Sequence, residues 1–296
     1  MGAIAAGIVT FNPGAGLRSL CEELLAQECT VLIHDNASTA GIDVLAACEA
    51  LGAIVHRSAD NTGVAGGLAG LLAHVTGTHD WLATFDQDSG IEPGFIAALA
   101  SSAPASDPGV AVVAPRVIET ASGATVQGPP DGLEPVAVVR VITSGALCRV
   151  AALNEAGGVR EDLFIDYVDY DLCLRLRRAG WEVVVVPAAV LYHSIGAQTH
   201  HRLLGVVAVD ASNHSPDRQY YKYRNYVLLA RDRTLLADPR SAVLDGAALL
   251  WQPLKIALFE RNRLAKLRAM AQGVAHGVQG RTGSRPAASS FPTNDR

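Results

Sequence analysis

The chain has 296 residues, of which 49% are hydrophobic, and a net charge of -5 at pH 7. This length and composition suit one large or two small domains with a sizeable core, and the acidic balance disfavours nucleic acid as a partner. Five cysteines without close spacing argue against a disulfide framework or a zinc cluster, and they favour a reducing compartment.

Short β-rich runs alternate with helical patterns in the first half of the chain, which predicts an α/β fold with a mostly parallel central sheet and helices on both faces. The predicted strands cover residues 4–10, 30–34, 53–57, 81–85 and 110–114, and the predicted helices cover residues 17–27, 42–51, 64–75 and 93–100. The apolar start of the chain is short and lacks basic residues, so we interpret it as a buried strand rather than a signal peptide.

The second half predicts a loop at 120–135, a helix at 150–156, an acidic helical segment, and two strands at 182–186 and 189–193. Residues 194–216 have no clear periodicity and predict a loop, whereas 217–233 are helical in pattern. These patterns predict an α/β domain at residues 1–235, a helical C-terminal extension at 236–280 and a disordered tail at 281–296.

The extension mixes apolar side chains with lysines and arginines. One interpretation is a helix that packs on the domain or on a second copy in a homodimer; the other is a basic amphipathic surface for peripheral membrane contact. Both stay open. No run of about 18 uninterrupted apolar residues occurs, so we expect a cytoplasmic protein that at most touches the inner face of the cell membrane.

Polar residues follow three predicted strands, at the sheet edge where α/β proteins bind ligands. They are Thr10 and Asn12, Asp35 and Asn36, and Asp86 and Asp88. Asp86 and Asp88 stand one residue apart after an apolar run, a pattern that suits a divalent cation bound to phosphate oxygens, although D-x-D is also common in solvated turns. Asp35 suits either a nucleobase contact or a helix N-cap.

Three further features carry chemistry. The glycine-rich turn that contains Asn61 and Gly63 opens a helix, so its backbone can approach an anion. Asp166 and Asp169 precede or begin a helix, where a carboxylate is either favoured by the helix dipole or able to act as a general base. His193 ends an apolar run and is either structural or the third ligand of a metal site.

Seven motifs follow one another along the chain: IVTFNP, DNAS, DNTGVAGG, FDQDS, TSG, LFIDYVDYDLCLRLRRAGW and LYHSIG. In this order they resemble the motifs of family 2 of the inverting glycosyltransferases, which have the GT-A fold. FDQDS, FIDYVD and a later YYKYRN are most similar to segments of bacterial rhamnosyltransferases. The resemblance covers residues 4–233.

The resemblance implies roles for individual residues. Thr10 and Asn12 would lie along the nucleotide, Asp35 would face the base, and Asn61 and Gly63 would line the donor pocket. Asp86 would contact the ribose and the metal, while Asp88 and His193 would bind Mg²⁺ or Mn²⁺. The resemblance places the base at Asp169, but Val168 stands where the family often has an acidic residue, which makes Asp166 a rival.

The remaining candidates come from the same motifs. Ser144 and Gly145 in TSG are predicted to contact substrate, and Arg218, Tyr221 and Arg224 are predicted to approach the diphosphate or close over it. The resemblance implies transfer of a sugar, L-rhamnose from dTDP-L-rhamnose, to a glycan or lipid-linked glycan acceptor. The alternatives are a nucleotidyltransferase that makes the activated sugar and a catalytically silent nucleotide-sugar-binding protein.

Overall fold

The computed structural model describes residues 2–193, 199–203, 207–211 and 213–286, with the backbone alone for 199–203 and 207–211. One large sheet organises the protein. Its strands lie in the order β3-β2-β1-β4-β9-β6-β10-β5, with β7 beside β6 and β8 beside β10. They are β1 (Ile4–Thr10), β2 (Thr30–Asp35), β3 (Ile54–Arg57), β4 (Trp81–Asp86), β5 (Gly90–Ile91), β6 (Val110–Glu119), β7 (Thr125–Gln127), β8 (Val136–Ala137), β9 (Ala146–Arg149) and β10 (Glu182–His193).

The pairing confirms the predicted α/β class with a largely parallel sheet. β1 pairs in parallel with β2 and β4, β2 with β3, and β6 with β10, whereas β9 runs antiparallel between β4 and β6. The helices are α1 (Gly16–Ala26), α2 (Ile42–Leu51), α3 (Gly63–Val75), α4 (Phe95–Ala100), α5 (Ala103–Ser106), α6 (Val150–Glu155), α7 (Val168–Arg178), α8 (Pro216–Arg231), α9 (Pro239–Phe259) and α10 (Arg263–Val278).

Successive strand residues face opposite layers of core, because side chains alternate along a strand. In β10, Val183 and Val185 pack with α3, α6 and α7, whereas Val184 and Val186 pack on the other face with α1, α2 and α4. A run of four valines therefore forms a central strand that is buried on both faces.

The structure corrects two predicted strand boundaries. β6 continues to Glu119, and β10 is one strand where we predicted two. Val186 pairs with Pro115 and Val190 with Arg116, so the residues between them bulge out of the register. Pro187 lies in this bulge, and since a bulge leaves residues outside the ladder, the missing N–H of proline does not end the strand.

Residues 194–216, which we predicted to be a loop, include an antiparallel hairpin of β11 (Thr199–Leu203) and β12 (Val207–Ala211). Ser215 then caps α8 by accepting a hydrogen bond from the Arg218 backbone N–H at 3.2 Å, and Pro216 occupies the first helical position. The region 194–216 thus contains a hairpin where we predicted only a loop. It ends at the start of α8, which Ser215 and Pro216 mark in the sequence.

The C-terminal region forms two helices where we predicted one helical extension. The chain turns between α9 and α10 at Asn262, whose φ is +53°. Glu260 and Lys266 hold this corner through a buried ion pair of 2.7 Å. α9 is long enough and apolar enough to cross a membrane. Its Asp245, however, forms an ion pair of 2.6 Å with Arg140 of the α/β domain.

α10 packs closely along α8 through two glycines. A Cβ on Gly273 would lie 2.4 Å from the carbonyl oxygen of Tyr220, and one on Gly277 would lie 2.8 Å from that of Arg224. Residues 281–286 were predicted to be disordered, but the Arg285 N–H donates to the Tyr221 hydroxyl at 2.7 Å. The rest of the predicted tail, 287–296, lies outside the described residues.

Candidate functional site

The end of β4 carries the centre of the site. Asp86 closes the strand, Asp88 lies in the turn after it, and His193 ends β10 nearby. One ligand atom from each lies within 4.8 Å of the other two. The predicted metal residues are therefore brought together, although they are more than a hundred positions apart in sequence.

The chemistry of these three side chains suits a hard divalent cation. Two carboxylates and an imidazole are ligands that Mg²⁺ or Mn²⁺ accepts. The Nδ1 atom of His193 is buried without a hydrogen-bond partner in the described part of the chain, and Nε2 lies 3.9 Å from an Asp86 oxygen. Burial in the cleft raises the pKa of Asp86, and the Asp88 carboxylate adds to the rise while His193 opposes it. A cation at this position would offset both unfavourable contributions.

Gln87, between the two aspartates, joins this turn to β1. Its Oε1 accepts hydrogen bonds from the Thr10 hydroxyl at 2.6 Å and from the Phe11 N–H at 2.9 Å. The Thr10 side chain is buried, so its hydroxyl positions Gln87 at the wall of the pocket. We did not single out Gln87 from the sequence, because an uncharged middle residue of D-x-D gives no signal for such a role.

A pocket of about 230 Å³ opens beside the metal ligands. Its walls come from the ends of β1 and β4, from Asn36 after β2, from the start of α3 and from the segment before α7. Thr10, Asn61, Gly63 and Asp86, all predicted to contact the donor, line it. Gly63 has a φ of +73°, and a Cβ there would lie 2.3 Å from the Phe164 carbonyl oxygen, so only glycine fits.

Two predicted binding residues, Asn12 and Asp35, do not line this pocket and bond to the loop after β2. The Asn12 Oδ1 accepts from the N–H groups of Thr39 and Ala40 at 2.8 and 3.0 Å, and the Asp35 carboxylate accepts from Ser38. Their side chains organise the loop after β2, and Asp35 does not cap α2, whose N-cap residue is Gly41.

Ser144 and Gly145 lie beneath the turn that carries Asp86 and Asp88. Neither residue lines the 230 Å³ pocket or the larger cavity beyond the segment before α7. The Ser144 hydroxyl is 2.6 Å from that of Ser89 and accepts from the Asp86 N–H at 3.3 Å. Ser144 and Gly145 are buried under the turn, where Ser144 supports Asp86, and a contact of either residue with substrate stays a prediction.

The acidic segment before α7 has an unusual backbone. Phe164, Asp166 and Tyr167 all have φ values between +64° and +65°, a region that side chains other than glycine rarely occupy. Asn225 on α8 holds this conformation, because its amide N–H₂ donates to the carbonyls of Leu163, Ile165 and Asp166 at 2.8 to 2.9 Å. The segment separates the 230 Å³ pocket from a larger cavity.

Arg224 was predicted to approach the diphosphate, and the structure shows otherwise. Its side chain is fully buried, and the guanidinium donates to the carbonyls of Asp162, Leu163 and Gly283. Tyr221 is also buried and stacks on Phe164 with ring centroids 4.8 Å apart. Both residues therefore support the wall of the pocket from behind, because their polar atoms are engaged by backbone groups.

Asp166 and Asp169 differ in their partners. Asp166 forms an ion pair with Arg218 at 3.0 Å, whereas the Asp169 carboxylate accepts from the Tyr170 N–H at 2.9 Å and pairs with none of the cations in the described residues. Burial raises the pKa of Asp169 to about 6, with a smaller contribution from the charges of Asp166 and Asp86. Asp169 is thus a buried carboxylate with a raised pKa and no cationic partner in the described residues, which are properties that suit a general base.

Arg218 lies near the carboxylates of both Asp166 and Asp86. Its side chain is 46% exposed while it holds Asp166, and it acts electrostatically on Asp86. A third acidic residue of the segment, Asp171, is fully buried against Arg160 and Arg175 at 3.3 and 2.7 Å. Asp171 is therefore structural, whereas the Arg218 side chain remains partly exposed beside Asp166.

Known proteins show sequence similarity to this chain. Over 297 aligned residues the chain is 28% identical to dTDP-rhamnosyl transferase RfbF of Shigella flexneri, an alignment that spans 95% of this chain and 97% of that protein. Residues 6–135 match the family model "Glycosyl transferase family 2".

Two solved structures show the fold. S. aureus TarS residues 1–349 in complex with UDP superposes with a TM-score of 0.50 at 14% identity, covering 94% of this chain and 92% of that one. GalNAc-T7 with UDP, GalNAc and Mn²⁺ gives a TM-score of 0.57 at 14% identity, covering 79% of this chain and 51% of that one. The predicted GT-A fold is confirmed, and the first half of the chain is similar in sequence to the glycosyltransferases of family 2.

Proposed function

We propose that the protein is a metal-dependent inverting glycosyltransferase that moves L-rhamnose from dTDP-L-rhamnose to a glycan. The observation that carries the proposal is the clustering of Asp86, Asp88 and His193 beside a pocket that is walled by the segment before α7, the helix that carries Asp169. The rhamnose donor is inferred from the similarity to the Shigella flexneri dTDP-rhamnosyl transferase.

The donor nucleotide occupies the 230 Å³ pocket, with the diphosphate directed toward Asp86. Asp88, His193 and Asp86 would hold Mg²⁺ or Mn²⁺, which would supply Lewis-acid stabilisation of the diphosphate leaving group. Asn61 and Gly63 contact the ribose and diphosphate, and Gln87 holds the metal turn against β1. Arg218 adds a second positive charge at the departing diphosphate.

Asp169 removes the proton from the acceptor hydroxyl as its oxygen attacks the anomeric carbon. The new carbon–oxygen bond forms on the face opposite the diphosphate, and the bond to the diphosphate oxygen breaks with its electron pair. The configuration at the anomeric carbon therefore inverts. Asp166 positions Arg218 through their 3.0 Å ion pair and is not the base in this scheme.

We also propose that the acceptor is a lipid-linked glycan and that α9 contacts the inner face of the cell membrane. Residues 239–286 carry eight basic and two acidic residues, whereas residues 1–238 carry 15 basic and 26 acidic residues. Leu250, Trp251, Leu254 and Leu258 share one face of α9 and are 45–85% exposed. A basic region with an exposed apolar stripe favours an anionic lipid surface, and a homodimer through the same face is the competing outcome.

Neither alternative function is favoured by the family match or by the relative. A nucleotidyltransferase would consume a nucleoside triphosphate and a sugar phosphate, and a silent binding protein would hold the donor without turnover. Sugar transfer, nucleotidyl transfer and donor binding without turnover can each be measured with the same purified protein, so the three functions are directly separable.

A panel of nucleotide sugars tests the donor. Melting temperatures are measured with dTDP-L-rhamnose, dTDP-D-glucose, UDP-galactose and GDP-mannose, each with Mn²⁺ and with EDTA. We expect the largest rise with dTDP-L-rhamnose and Mn²⁺, because a ligand that binds only the folded state stabilises it. An equal rise with all four, or a rise that is insensitive to EDTA, would contradict the proposed donor or its metal.

A further inference from the structure

The second cavity lies on the other side of the strained segment and has a volume of about 580 Å³, within the range of about 300 to 1,000 Å³ that is usual for small-molecule sites. Asp166, Tyr167 and Asp169 form one wall, and residues 126–128 and 138–142 form another. The base therefore opens onto a cavity distinct from the one that holds the donor nucleotide.

Two buried polar side chains in the wall lack partners. Gln219 on α8 is fully buried, and both its Nε2 and Oε1 are without a hydrogen bond in the described residues. The Tyr170 hydroxyl on α7 is in the same condition, although its ring is covered by the Arg140 guanidinium at 4.5 Å. Such groups cost free energy unless something supplies the missing hydrogen bonds. A ligand rich in hydroxyl groups would do so.

The remaining wall comes from the C-terminal region. Asp245, Ala248, Leu249 and Gln252 of α9 line the cavity. Their spacing of three to four residues puts them on one helix face, opposite the stripe of Leu250, Leu254 and Leu258. The ion pair between Arg140 and Asp245 fixes that face toward the catalytic body. α9 is thus a wall of the active site as well as an external surface.

We propose that this cavity binds a saccharide ring of the acceptor, with its hydroxyls bonded to the Gln219 amide and the Tyr170 hydroxyl and one hydroxyl directed at Asp169. This proposal rests on the proposed function, because it assigns the acceptor to the same reaction centre. The cavity walls supply both hydrogen-bond donors and hydrogen-bond acceptors for the hydroxyls of a sugar. The apolar side chains of Val138, Ile142 and Leu249 suit the ring carbons.

The native cysteines allow a direct test, because all five are buried. Ala248→Cys places a thiol in the cavity wall, and Leu250→Cys places one on the opposite, 85% exposed position as the matched control. Mass spectrometry measures the rate of alkylation by iodoacetamide with and without each of three methyl glycosides, those of L-rhamnose, D-galactose and N-acetyl-D-glucosamine. We expect at least one glycoside to slow alkylation at position 248 several-fold and to leave position 250 unchanged.

Two further variants test the contacts. Added to Ala248→Cys, Gln219→Leu and Tyr170→Phe each remove hydrogen-bonding groups with little change of volume, and each is expected to abolish the protection. Tyr170→Phe loses only one oxygen, so it keeps the test valid if Gln219→Leu does not fold. Protection by none of the three glycosides, or protection that both variants retain, would overturn the proposal.

The donor is assayed separately by titration with dTDP-L-rhamnose and Mn²⁺. If the donor fails to bind while the glycoside protects position 248, the proposed function is wrong and the saccharide site stands. If the donor binds and no glycoside protects position 248, the saccharide site is wrong and the proposed donor stands.

Discussion

Replacing Asp169 with asparagine is expected to stop catalysis and yet stabilise the protein. Asparagine has nearly the same shape, and its Oδ1 can still accept the hydrogen bond from the Tyr170 N–H. Loss of the base is expected to lower turnover by about 100- to 10,000-fold. The stability gain follows from burial, which raises the pKa of Asp169 from 3.8 in the unfolded chain to about 6 in the folded protein.

The sign and size follow from proton linkage. Between these two pKa values the folded protein binds the proton more tightly than the unfolded chain, so the wild type loses stability as the pH rises from about 4 to about 6. A shift of roughly two pKa units corresponds to about 3 kcal/mol. Asp169→Asn lacks this loss, so its advantage over the wild type should grow through this window and stay constant above it.

Urea denaturation in EDTA, from about pH 4 to about pH 7, measures this difference without interference from a bound cation. Donor hydrolysis with Mn²⁺ measures the activity of the same variant. Asp131→Asn, at an exposed loop position, is the matched control and should change neither quantity. A stability difference that does not vary with pH, or full activity in Asp169→Asn, would refute this account of the base.

Three further results are expected. Asn225→Ala should destabilise the protein by about 1 to 3 kcal/mol in thermal denaturation and lower activity, because the carbonyls of Ile165 and Asp166 lose this donor and that of Leu163 keeps only Arg224; Asn154→Ala, which loses one exposed hydrogen bond, should have little effect. Asp88→Ala should abolish Mn²⁺-dependent donor turnover, and a variant that still responds to Mn²⁺ would argue against the cluster. Trp251→Ser should weaken sedimentation with anionic phosphatidylglycerol vesicles, whereas an unchanged vesicle affinity together with a lost dimer would identify a second copy as the partner.

The central sheet could be predicted because its signals are local. Apolar runs such as residues 4–10 and 81–85 end at polar residues, and the order of strands and helices follows the usual rules for α/β proteins. The same rules placed Asp86 and Asp88 at a strand end. The approach of His193 was predicted only through the resemblance, since no local pattern shows that β10 ends beside β4.

The errors arose where long-range packing decides the role of a side chain. Arg224 looks like a phosphate ligand in sequence, but its buried guanidinium donates to the carbonyls of residues 162–163. Gln219 gave no signal, because a glutamine on a helix is usually solvated. Its missing partners become visible only when α7, α8 and α9 are assembled around one cavity.

The most direct test of the central claim is the reaction of dTDP-L-rhamnose itself. The wild type is incubated with this donor and Mn²⁺, and NMR follows the anomeric configuration of the first sugar product, with a rhamnose acceptor glycoside or with water as acceptor. The account predicts release of dTDP only with the metal, a product of inverted configuration, and no product from Asp169→Asn. Retention of configuration, or equal turnover in EDTA, would contradict it.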